Sequence, residues 1–195
     1  MKDEVLTASN PMTVEAYIAF EESADVRHEF INGNLIPMPG TTDDHNEICF
    51  NIAAALKKML RDQGFRVYLE SVKVQISSER DYTYPDVMVT GDSRDLEDRY
   101  IKKYPVVIFE VLSKSSRIED STDKFIRYKQ IESLRDYILV DAEKMVVEVR
   151  SKTETGAWEA ASYVQSDEHF PLPALGIGLA FGEVYEGVRA LTKDH

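Results

Sequence analysis

The chain has 195 residues, 43% of them hydrophobic and 30% charged, with a formal net charge of −12. That composition is ordinary for one well-buried globular unit and too short for two. Cys49 is the only cysteine, which excludes an intrachain disulfide and a thiolate cluster. The longest apolar run, residues 106–109, is far too short to span a bilayer. Residues 1–10 carry Lys2, Asp3 and Glu4 without an apolar run and do not read as a signal peptide; these absences together point to the cytoplasm.

In chain order, Thr13 is placed to cap a short helix reaching about Ser23, with Glu15 and Glu21 on its wet face and Tyr17, Ile18 and Phe20 turned inward. Asn32-Gly33 between two short runs predicts a hairpin, because both turn residues tolerate positive φ. Ile48, Ile52, Ala55, Leu56, Met59 and Leu60 recur at helical spacing and predict a long helix over about residues 44–62. Residues 67–69 and 72–76 read as two strands or one bent strand, 84–90 as another, and 106–112 as the most apolar of all. A second helix is expected over about 121–132, then strands at 137–140, 145–149 and 158–164.

The tail from Phe170 to Val188 is rich in Pro and Gly and apolar. Ile177, Leu179, Phe181, Val184 and Tyr185 either cover their own core or form the contact of a homodimer. Strands on both sides of two helices give a mixed α/β (α+β) sandwich. The chain is expected to be a single domain over 1–195, with an N-terminal helix and hairpin at 12–38, a core at 44–150, and a C-terminal strand and tail at 157–188.

Two segments place acids among apolar residues: Tyr84-Pro85-Asp86-Val87-Met88-Val89 and Val106-Val107-Ile108-Phe109-Glu110-Val111-Leu112. The second is apolar at both alternations, so its strand should be covered on both faces. Glu110 loses hydration there and needs a cation or strong donors to stay charged; Asp86 faces a milder form of the same problem. On neighbouring strands the two carboxylates would lie within roughly 5 Å. That separation suits one hard cation whose octahedron is completed by water. Mg²⁺, with Mn²⁺ as a substitute, is therefore expected between Asp86 and Glu110, where such an ion polarises a phosphoryl oxygen and activates a water.

Lys124 lies in the first turn of the helix that follows the Glu110 strand and shares a face with Tyr128 and Ile131, so it can point back at the sheet. A lysine there would neutralise charge growing on phosphate. The plainer alternative is a buried salt bridge between Lys124 and Glu110.

These segments, taken with Thr13-Val14-Glu15-Ala16-Tyr17, Arg27-His28-Glu29-Phe30-Ile31-Asn32-Gly33, His45-Asn46, Lys124-Phe125-Ile126-Arg127-Tyr128 and Tyr137-Ile138-Leu139-Val140-Asp141, make the chain resemble the Uma family of restriction endonucleases. That family is a branch of the PD-(D/E)xK nucleases. The likeness runs from Met12 to about Val188. It implies a restriction-endonuclease-like core, a mixed central sheet flanked by helices, divalent metal, and phosphodiester hydrolysis in DNA. By motif position, Asp86 and Glu110 match the two acidic elements. The superfamily lysine would stand two residues after Glu110, where this chain has Leu112. The resemblance suggests that the lysine has migrated to Lys124, with Lys73 as the rival. Glu29 and His45 fall in matching stretches and are possible accessory residues.

Net charge opposes DNA binding, since phosphate contacts dominate affinity. The offsetting patch would be Lys102, Lys103, Lys114, Arg117, Lys124, Arg127 and Lys129. The charge and the absent second-motif lysine give the alternative of a nuclease fold that has lost turnover and serves as a binding or structural module. Scattered histidines and a lone Cys49 offer no evident zinc set.

Overall fold

The computed structural model describes residues 12–38, 40–76, 81–112 and 119–189, with the backbone alone at 119–121. Helix α1 (Val14–Ser23) begins at Thr13, whose side chain accepts from the Ala16 amide. Strands β1 (His28–Ile31) and β2 (Asn34–Pro37) form the expected hairpin, its turn held by Asn32 at φ 51° and Gly33 at φ 83°. Helix α2 (Asp43–Met59) is capped by Thr42. There follow β3 (Arg66–Leu69), β4 (Lys73–Gln75), β5 (Tyr82–Thr83), β6 (Val87–Thr90), β7 (Ile101–Lys102) and β8 (Pro105–Leu112). After α3 (Glu119–Tyr128) come β9 (Asp136–Asp141), β10 (Val146–Lys152), β11 (Trp158–Val164), β12 (His169–Leu172), β13 (Ile177–Ala180) and α4 (Phe181–Val184).

The architecture is the mixed α+β class that the sequence predicts. A six-stranded sheet runs β11-β10-β9-β8-β6-β3, a five-stranded sheet runs β2-β1-β5-β4-β7, and β12-β13 form a separate hairpin. In the large sheet β8 and β9 are parallel, and α3 is the crossover between them. Strand β8 is covered on both faces. Val107, Phe109 and Val111 pack with α2 and the C-terminal tail, whereas Ile108 packs with Tyr128, Ile131 and Tyr137 on the α3 side. Alternation puts Glu110 on the α3 side as well.

Several expectations are corrected. The strand expected over 84–90 begins only at Val87, after β5 has already paired into the small sheet, because Pro85 has no N–H to give a ladder. Asp86 is thus the residue just before the strand. On α1, Phe20 is 41% exposed and Glu21 only 1%, the reverse of the amphipathic reading. Glu21 exchanges hydration for the His28 amide at 2.9 Å, the Tyr84 hydroxyl at 2.8 Å and the His28 ring at 3.1 Å. Helix α2 ends at Met59, which is 37% exposed.

The tail packs on its own core. Phe170, Leu179, Phe181, Val184 and Tyr185 are buried against α2 and β10 residues, with Phe181 stacked on Tyr185 and edge-on to Phe170. That burial places most of the tail's large apolar side chains within the chain's own core, with Ile177 half-buried. Phe181→Ala should therefore lower the unfolding free energy by about 3–5 kcal/mol, read from urea denaturation at a concentration where the molecular mass does not change. An unchanged midpoint would show that the tail adds nothing to the core.

Candidate active site

Register builds the site. Leu69 of β3 pairs with Val87 of β6, and Val87 pairs with Phe109 of β8. The next residues along, Glu70, Asp86 and Glu110, therefore stand in a row across three adjacent strands at one end of the large sheet. The Glu70 amide donates to the Asp86 carbonyl at 3.1 Å, which extends the ladder by one rung. Glu70 sits at φ 24°, an uncommon conformation for a residue with a Cβ.

Glu110 is 4% exposed and is met from α3. The Lys124 ammonium donates to Oε2 at 2.9 Å, and the Tyr128 hydroxyl donates to Oε1 at 2.8 Å. Helix α3 is fixed for this by Phe125, whose ring packs against Tyr137 and edge-on against Trp158. Burial pushes the Glu110 carboxyl up, against the pull of the Lys124 ammonium. Lys124 pays a desolvation penalty too, but the charges of Glu110, Glu29 and Asp86 overcome it and hold the amine protonated. Burial, then Glu110, keeps Tyr128 a neutral donor.

Asp86 Oδ2 accepts from the Val111 amide at 2.6 Å, next in chain to Glu110, and faces His45 Nε2 at 3.3 Å. His45 comes from the first turn of α2. Burial opposes a charge on its ring, yet the Asp86 hydrogen bond and the charges of Asp86, Glu70 and Glu110 outweigh burial and raise its affinity for a proton. His45 Nδ1 looks the other way, 3.6 Å from Cys49 Sγ and 3.9 Å from Glu70 Oε1.

The fold thus gathers Asp86, Glu110, Lys124, His45 and Glu29, the last by its field on Glu110 and Lys124. Lys73 is not among them. It is buried 5.6 Å from the centre of the Tyr84 ring, in the field of Glu21, Arg27, Asp98 and Glu22. Sequence reasoning missed Glu70, which lies in a polar turn and gains meaning only from strand register. It also treated His45 and Cys49 separately, although their spacing of four on a helix is a legible signal. The basic patch is thinner than expected: Lys102 is buried and donates to the Asp95 and Asp98 carbonyls, and Lys124 is committed to Glu110. Lys114 and Arg117 lie outside the described residues.

A divalent cation suits this chemistry. The charges of Glu110, Glu29 and Asp86 act on the Lys124 ammonium and those of Asp86, Glu70 and Glu110 on the His45 imidazole, and among the described residues Glu70 Oε1 is buried without a hydrogen-bond partner. His45, Cys49, Glu70 and Asp86 each offer a donor atom within 4.8 Å of the others.

A family model described as "Putative restriction endonuclease" (Uma2) matches residues 14–182. The chain belongs to this family. Membership in Uma2 supports a nuclease-like function with a nucleic-acid substrate. Two Synechocystis sp. relatives are similar over most of their lengths. The uncharacterized protein slr1290 is 29% identical over 177 residues, covering 91% of this chain and 93% of that one. The uncharacterized protein sll1609 is 31% identical over 156 residues, covering 79% and 88%. The crystal structure of a "putative nuclease belonging to DUF820" from Anabaena variabilis matches with a TM-score of 0.76 at 18% identity, covering 92% of this chain and 100% of that one. At that identity the likeness speaks for the fold, which is nuclease-like.

In metal-free protein, folded Glu110 and His45 both hold protons more tightly than in the unfolded chain, where they titrate at 4.5 and 6.5. Their contributions to stability are complete below those ordinary values and are lost as pH rises through the raised folded ones. Urea midpoints measured in chelator should therefore fall as pH rises from about 5 to about 7, as Glu110 loses its proton, and fall further above 6.5 as His45 loses its own, and Glu110→Gln and His45→Gln should each flatten the fall. Midpoints that rise over this window would contradict the assignment.

Proposed function

We propose that this chain is a divalent-metal-dependent endonuclease that hydrolyses phosphodiester bonds in DNA. Asp86 and Glu110 would hold Mg²⁺, for which Mn²⁺ can substitute, and Lys124 would assist. The observation that carries this reading is the adjacency of Asp86, just before β6, to Glu110 on the neighbouring β8, with the Lys124 ammonium against Glu110. When bound, a hard divalent ion polarises a phosphoryl oxygen and lowers the pKa of an attacking water.

The chain's own groups have separable tasks. The Val111 amide and His45 Nε2 both hold Asp86 Oδ2, which fixes the direction of the carboxylate. Tyr128 anchors Glu110 Oε1, so the carboxylate keeps its direction when Lys124 leaves Oε2. The Lys124 stem is flexible enough to carry the ammonium from Glu110 to a phosphate oxygen, where it balances the charge that grows in the transition state. His45 braces Asp86 from α2. A two-fold homodimer is the simplest arrangement for cutting both strands of a duplex, and light scattering gives the mass that tests it.

One observation favours the alternative of an inactive nuclease-fold binding module: both Glu110 oxygens are satisfied by Lys124 and Tyr128 without any ion. Calorimetry separates the readings, since the module would take up no Mg²⁺ or Mn²⁺ at the carboxylates. The nuclease reading expects wild type to bind metal and nick plasmid DNA, and Asp86→Asn to do neither. Lys124→Met should keep metal binding and lose roughly two to three powers of ten in cleavage. Undiminished cleavage by Lys124→Met would remove its role; metal uptake unaffected by Asp86→Asn would remove the site.

A further inference from the structure

His45 and Cys49 stand one helical turn apart on the buried face of α2, and the turn after β3 brings Glu70 to them. His45 Nδ1, Cys49 Sγ and Glu70 Oε1 converge, at 3.6 Å and 3.9 Å from the ring nitrogen. On the opposite side of the ring, Nε2 is held by Asp86 at 3.3 Å. A histidine that ligates a metal is commonly arranged in this way, one nitrogen toward the ion and the other N–H on a carboxylate that sets the tautomer. The donor set is also informative. Mg²⁺ takes oxygen ligands, whereas thiolate sulfur and imidazole nitrogen suit Zn²⁺ and its spectroscopic stand-in Co²⁺.

We propose that His45 Nδ1, Cys49 Sγ and Glu70 form a second metal site, selective for a thiophilic divalent ion such as Zn²⁺, beside the Asp86–Glu110 pair. Three protein ligands leave a fourth position for water. Glu70, 33% exposed at its side chain, gives the ion its way in. As the ion binds, the Cys49 S–H bond breaks, the metal–sulfur bond forms, and the proton passes to solvent. Asp86 orients His45 rather than ligating this ion, so it can serve both sites. The proposal depends on these donors and not on DNA cleavage.

Co²⁺ titration of the metal-free full chain under argon tests it. One equivalent should produce intense visible bands of four-coordinate Co²⁺ and a near-ultraviolet sulfur-to-cobalt band, both bleached by Zn²⁺ and untouched by excess Mg²⁺. Because Cys49 is the only cysteine, Cys49→Ser should lose the near-ultraviolet band and weaken Co²⁺ binding at least about tenfold. His45→Gln should lose both features, and Glu110→Gln should keep both. Cys49→Ala repeats the sulfur test if the serine variant folds poorly. Absence of the sulfur band in wild type, its bleaching by Mg²⁺, or its loss in Glu110→Gln would overturn the proposal. Cleavage is scored separately: bands without cleavage keep this site and remove the nuclease reading, and cleavage without bands does the reverse.

Discussion

A strand covered on both faces has no wet side on which to place a charge, and β8 carries a carboxylate near its end. Glu110 can be ionised there only because α3 delivers Lys124 and Tyr128 to its two oxygens. Breaking such a buried pair from one side costs about 3–5 kcal/mol, since the remaining charge is left in a poor solvent. Much else follows from that requirement. The parallel pairing of β8 with β9 forces a crossover, the crossover is α3, and α3 is pinned by Phe125 between Tyr137 and Trp158. The segment that completes the topology also supplies the cation that the strand needs.

The chain handles its cations sparingly in the interior. Lys102 is turned inward onto the Asp95 and Asp98 carbonyls and lies over the Tyr68 ring, while Asp95 accepts from Thr90 and from the amides of Lys103 and Tyr104. Those contacts tie the excursion between β6 and β8 together and take the Lys102 charge inward. An acidic protein that turns Lys73, Lys102 and Lys124 inward presents a substrate with less positive charge than its sequence suggests. Metal-borne charge at the carboxylate row then matters more to binding of a polyanion.

The legible part of the structure was local. Thr13 caps the first helix, Asn32-Gly33 turns the hairpin, and the doubly apolar run around Glu110 is a central strand, all as propensity and periodicity dictate. What was hidden depends on partners distant in sequence. Phe20 and Glu21 exchange places because Tyr84, 63 residues away from Glu21, donates to its carboxylate. Glu70 is an acid in a polar turn until β3 is set against β6. Lys73 reads as a rival to Lys124 until the small sheet buries it beside the Tyr84 ring. Asp86 and Glu110 were readable because each violates its own neighbourhood; Glu70 and Cys49 violate nothing locally.

The C-terminal segment has a consequence for when the protein can fold. Asn51 in α2 donates to the carbonyls of Val184 and Glu186, across 133 and 135 positions of chain. Phe170, Leu179, Phe181 and Val184 close the same apolar face. During synthesis, α2 and the strands beneath it emerge long before the segment that covers them, so that face stays open to water, or to a chaperone, until nearly the whole described chain has left the ribosome. Loop closure over that distance adds little to the free-energy cost and much to the waiting time. Vectorial synthesis thus makes the last twenty or so described residues the final piece of the core to leave the ribosome.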